Sequence, residues 1–105
     1  MEFTQEQKHK YLDRLALATQ EGIWLTEMAL MKDKEKLSMK KALLTVIEQK
    51  IANKEYNPLR DGKNEKKYTE DKIAELEHEI ETEQFAIETG KTDLEMIESY
   101  RNKSV

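Results

Sequence analysis

The residues best equipped for chemistry are the two histidines. Each closes a Glu-x-x-His run: Glu6-Gln-Lys-His9 near the start and Glu75-Leu-Glu-His78 in the second half. On a helix, side chains three residues apart share a face. Each run could therefore offer one carboxylate and one imidazole to a single cation. Around the second run stand further carboxylates, among them Glu79, Glu81 and Glu88. There is no cysteine, which removes disulfides, thiolate metal sites and thiol nucleophiles together. No glycine-rich phosphate loop is present, and no serine stands beside a histidine in a hydrolase pattern.

The two runs resemble the ferritin-like di-iron bundles, in which two helices each supply Glu-x-x-His and two more each supply a Glu. That resemblance implies a buried centre with all four side chains turned inward. The apolar pattern does not turn them inward. Ile73, Leu76 and Ile80 mark the inner face of the second half, which sends Glu75 and His78 outward. Likewise Glu6 and His9 lie off the line drawn by Tyr11 and Leu15. Alternate glutamates such as Glu75, Glu77, Glu79, Glu81 and Glu83 fan around a helix instead of converging. The expectation is a non-enzyme with no catalytic residue, no metal and no cofactor. A metal-dependent bundle ranks third among the functional readings.

The elements that would position these groups are helical. The chain has 105 residues, 38% of them charged and 37% hydrophobic, with one Pro and three Gly. High charge with few turn formers favours long helices over a compact mixed fold. The sequence predicts an all-α chain, an elongated antiparallel helical hairpin or small bundle with coiled-coil character, in one domain over 1–105. Helical segments are expected at 5–53 and 70–100, around a loop at 54–68.

Thr4-Gln-Glu-Gln7 opens the first segment as a capping box, with each of the two end residues bonding the other's amide. Tyr11, Leu15, Ala18, Gly22, Leu25 and Ala29 then recur at steps of four and three, one seam on one helix face. Counting on through Asp33, Leu37, Lys40, Leu44, Ile47 and Ile51 requires one extra residue, a stutter that an unbroken helix absorbs by local unwinding. Lys32–Lys36 has no apolar residue but no helix breaker either, so a hinge at 32–38 and a continuous helix both fit. Pro58 and Asp61-Gly62 are turn formers. Thr69 is the expected N-cap of the acidic helix. There Ile73, Leu76, Ile80, Glu83, Ile87, Gly90, Leu94 and Ile97 give the cleanest heptad spacing in the chain. Gly90, followed by a fresh capping box at Thr92–Glu95, would kink or end it.

Charge is lopsided. Residues 32–67 carry eleven Lys/Arg against six Asp/Glu, whereas 68–105 carry four against eleven, within a net charge of −4. The basic stretch has a single arginine, Arg60, and no DNA-binding motif, so pairing of its lysines with the acidic helix explains it better than nucleic acid does. No apolar run reaches the ~20 residues of a membrane span. Together with the lack of cysteine, this sets the expectation of a cytoplasmic protein.

Trp24, Leu25, Met28 and Met31 make the first segment apolar on more sides than one neighbour can cover. They are expected to form a partner surface, with a homodimer as first occupant and an unidentified protein as second. The favoured function is non-catalytic: an interaction, adaptor or scaffold protein working through helix faces. In size and texture alone the chain is similar to phage accessory proteins and bacteriocin-immunity proteins. The runner-up is an acidic, nucleic-acid-mimicking inhibitor presenting Glu75, Glu79, Glu81 and Glu88.

Overall fold

A computed structural model describes residues 3–55 and 62–103 of the chain. The fold is all-α: helix α1 spans Gln5–Ala52 and helix α2 spans Gly62–Lys103. Pro58, Leu59 and Asp61 of the expected turn lie outside the described residues.

Helix α1 starts where its capping box dictates. The Thr4 amide donates to Gln7 Oε1 at 2.9 Å, and the Gln7 amide donates to Thr4 Oγ1 at 3.2 Å. Two of the amides that a helix start leaves unpaired are thereby satisfied. Glu6 in the first turn and Lys50 in the last suit the helix dipole. The helix runs through Lys32–Lys36 without a break, as a stretch free of Pro, Gly and Asn permits. It ends in a Schellman arrangement. The Lys54 amide reaches the Ile51 carbonyl at 3.2 Å and the Glu55 amide reaches the Lys50 carbonyl at 2.9 Å, with Lys54 at φ 55°.

Helix α2 begins at Gly62, ahead of Thr69, which is therefore not an N-cap. Thr69 is buried inside the helix and its hydroxyl donates to the Glu65 carbonyl at 2.9 Å. A threonine can satisfy its hydroxyl one turn back as well as at a cap, and from sequence the two uses look alike. Thr92 does the same with Glu88, and α2 runs on through Gly90 to Lys103.

The chain divides into two compact units, Met1–Ala29 with Glu83–Val105 and Leu30–Thr82, and each helix contributes to both. In the first unit the covered residues of α1 are His9, Leu12, Ala16, Thr19, Ile23 and Thr26, while α2 supplies Glu83, Ile87, Gly90, Leu94 and Ile97. Asp13 pairs with Arg101 at 2.6 Å and Glu27 with Lys91 at 4.0 Å, so the helices run antiparallel here. In the second unit α1 contributes Leu30, Asp33, Leu37, Lys40, Leu44, Ile47 and Ile51. Facing them from α2 come Lys66, Thr69, Ile73, Leu76 and Ile80. Lys41–Glu77 at 3.9 Å and Glu48–Lys66 at 3.7 Å again fix an antiparallel pair.

Every covered position of α1 follows the last by three or four residues in strict alternation, so the seam keeps one heptad spacing from His9 to Ile51. No stutter is present. The seam expected at Tyr11–Ala29 lies on a neighbouring face, and the covered one stands one residue further on, at Leu12, Ala16, Thr19, Ile23 and Thr26. Continuity of spacing with Leu37, Leu44, Ile47 and Ile51 decides the matter. An unbroken heptad keeps the same face toward α2 without the local unwinding that an insertion costs.

Burial along the seams is thin. Only Ile47, Ile80, Ile87 and Thr69 are buried among the described residues, and no large side chain is fully enclosed. Ile80→Ala should lower the unfolding free energy by about 2–4 kcal/mol in chemical denaturation, the range for truncating a packed isoleucine. Met39→Ala, at a side chain 72% exposed, should change it by less than about 0.5 kcal/mol. Lys54→Gly should raise it by about 1 kcal/mol, since glycine takes the left-handed conformation without the Cβ penalty.

Candidate functional site

The face of α1 that α2 leaves open in the first unit is the candidate site. Tyr11, Leu15, Ala18, Gly22, Leu25 and Ala29 all remain exposed, with Tyr11 at 66% and Leu25 at 59%. Their steps are four, three, four, three and four. This stripe is a second heptad seam beside the covered one, and it stays exposed among the described residues. It is the seam that the sequence favours, because its side chains are larger and more apolar than the His9, Thr19 and Thr26 of the seam that is covered. The signal that separates them was present. Stepping back by sevens from Leu37 and Ile47 reaches Leu30, Ile23, Ala16 and Leu12, not Tyr11 or Leu25.

Around the helix from that stripe, Trp24 is 59% exposed and Met28 40%, with Leu17 one heptad before Trp24 also exposed. Met31, the fourth residue of the expected partner surface, belongs to the second unit and is 71% exposed. In that unit Met39, Leu43 and Val46 are exposed too, on the heptad positions that continue the open stripe. At the far end of the first unit, Phe3, Tyr11, Leu12 and Tyr100 line an open groove bordered by Lys8 and Arg14.

Gly22 and Gly90 sit in opposite surroundings. A Cβ built on Gly22 meets nothing within 4 Å, so the backbone there is bare to an approaching molecule. A Cβ on Gly90 would lie 2.8 Å from Ile23 Cγ1. Gly90 is in α2 because the helices close on Ile23 at that layer, and it does not end the helix.

The two Glu-x-x-His runs fall in different units and differ in exposure. His9 occupies the covered seam, contrary to the expectation that it points away, and its Nε2 is buried with no hydrogen-bond partner among the described residues. Glu6 of the same run is exposed and reaches Lys10 at 3.7 Å. Glu75 and His78 are exposed in the other unit. Of the expected acidic face, Glu75, Glu79, Glu81 and Glu88 are all exposed. Glu75 is engaged by Lys72 at 3.2 Å, and this hydrogen bond is the main cause holding the Lys72 ammonium above its ordinary pKa. The Lys72 ammonium also stands 5.6 Å from the Tyr68 ring centroid. Of the basic stretch, Lys41 pairs with Glu77 and Lys66 with Glu70 of the acidic stretch, so part of the charge asymmetry is met inside the chain.

No protein-family model, no curated protein and no solved structure matches this chain. No helix among the described residues is long and apolar enough to cross a membrane.

The contrast between the glycines is measurable. Gly22→Ala should raise the unfolding free energy by about 0.8–1 kcal/mol through helix propensity alone. Gly90→Ala should show no such gain, because Ile23 must move to admit the new methyl.

Proposed function

We propose that this chain is a non-catalytic interaction protein, an adaptor or scaffold that works by docking helix faces against other protein surfaces. One observation carries the reading. Helix α1 presents a heptad-spaced apolar stripe, together with Trp24 and Met28, that stays exposed among the described residues. Single exposed apolar side chains are ordinary on protein surfaces. A periodic stripe of them running from Tyr11 to Ala29 is not, because contiguous apolar surface on a soluble protein marks a place where something binds. Its spacing fits a helical partner, since groove-binding helices place their anchors at the same three- and four-residue steps. The methionines add side chains that adapt to varied partner shapes.

Site-specific photocrosslinking in the cells that make the protein tests this. A photoreactive residue at Leu25 or Met28 should give covalent protein adducts, whereas the same residue at Glu95, exposed on α2, should give none. Adducts at neither Leu25 nor Met28, or equal adducts at all three, would overturn the reading.

A further inference from the structure

We infer that the occupant of the open α1 stripe is a second copy of this chain, seated antiparallel with a two-fold axis beside Gln20. The inference rests on the docking function proposed above and names its partner.

The argument is the order of side-chain sizes along the stripe. Tyr11, Leu15, Ala18, Gly22, Leu25 and Ala29 alternate between the two positions of a heptad seam. In an antiparallel pair each layer joins a residue of one kind to a residue of the other, the arrangement by which knobs meet holes. Setting the axis midway along the stripe makes every layer close on itself. Tyr11 meets Ala29 of the second copy, so the largest side chain faces a small one. Leu15 meets Leu25. At the centre Ala18 meets Gly22, and the bare backbone at Gly22, with nothing within 4 Å of its missing Cβ, admits the close approach. Each pairing then repeats on the other side of the axis, which is the self-complementarity that a two-fold interface requires.

In that register the next heptad position outward sets Lys8 opposite Lys32 of the second copy, a like-charge layer at each end that limits the contact to Tyr11–Ala29 and weakens it. The size of the contact also suits a dimer of this chain. The stripe is roughly 27 Å long, and helices about 10 Å across would bury on the order of 1,000 Å² in total along it. That lies at the small end of specific interfaces, where association is reversible and weak. A monomer–dimer equilibrium is the consequence, not an obligate dimer.

Sedimentation equilibrium from about 5 to 500 µM, a range suited to so small an interface, reads this directly. The wild type should move from monomer to dimer across it. Gly22→Leu should stay monomeric at every concentration while keeping a helical circular dichroism spectrum and a melting temperature no lower than wild type at the dilute end. Because the chain has no cysteine of its own, the register can be trapped by oxidation. The double variant Leu15→Cys/Leu25→Cys should form a covalent dimer, and Leu15→Cys alone should not, because residue 15 stands about 15 Å along the helix from its own copy.

A wild type that remains monomeric throughout overturns self-association. In that case adducts to another protein in the photocrosslinking experiment would still support docking. Dimers that persist in Gly22→Leu overturn this stripe as the interface. Covalent dimers from Leu15→Cys alone overturn the antiparallel register, since at that distance from the axis like residues meet only in a parallel one.

Discussion

Everything in this chain depends on one line of contact between α1 and α2, the heptad-spaced seam from His9 to Ile51. A helix turns once every 3.6 residues, so residues repeating at alternating three and four stay on one side for many turns. Two such lines, one per helix, let the helices pack antiparallel in each unit. The line is not rich. It includes His9, Thr19, Thr26, Asp33, Lys40 and Glu83, and only three isoleucines on it are truly buried. Threonine hydroxyls at Thr19, Thr26 and Thr69 are satisfied by the carbonyl one turn back, so they sit in the seam without an unpaired donor. Continuity of spacing does what side-chain volume does in a globular core.

The same economy explains where the surplus apolar surface goes. A helix whose covered seam uses modest residues has its larger ones elsewhere, and in α1 they form a second line at Tyr11, Leu15 and Leu25 with Trp24 and Met28 beyond. Helix α2 has no equivalent: its exposed large apolar residues Tyr68, Phe85, Met96 and Tyr100 follow no continuous heptad line. One helix therefore serves both as half of the internal pair and as the face offered outward. The polar work falls to the other flank, where Glu27–Lys91 and Lys41–Glu77 bridge the helices. These pairs are exposed and weakly stabilising, and their contribution is to orientation more than to stability.

How much of this can be read from the residues depends on how strongly each element shows itself. The capping box at Thr4 and Gln7 is a local chemical device, and it forms as its residue types require. The seam of α2 carries isoleucine or leucine at Ile73, Leu76, Ile80, Ile87, Leu94 and Ile97, so its spacing is plain in the sequence. The seam of α1 is not, because two apolar lines lie one residue apart and the more apolar of them is the uncovered one. Amino-acid type favours Tyr11 and Leu25, whereas register favours Leu12 and Ile23, and packing follows register. The start of α2 is hidden for a different reason. A threonine that bonds back to the preceding turn has the same identity as one that caps a helix, so Thr69 gives no local clue. Gly90 likewise reads as a breaker, and only its position against Ile23 shows that it makes room. The two Glu-x-x-His runs carry a recognisable spacing but no shared environment, because His9 faces inward and His78 outward.

The central claim is that α1 carries two apolar lines and that α2 covers the one through Leu12 and Ile23. Methyl-resolved NMR with a soluble paramagnetic probe, on a dilute sample, measures this most directly. The methyls of Leu15 and Leu25 should relax strongly, and those of Leu12, Ile23 and Leu30 weakly. Strong relaxation at Leu12 and Ile23 with protection at Leu15 and Leu25 would contradict the account, for it would place the open face and the seam the other way round.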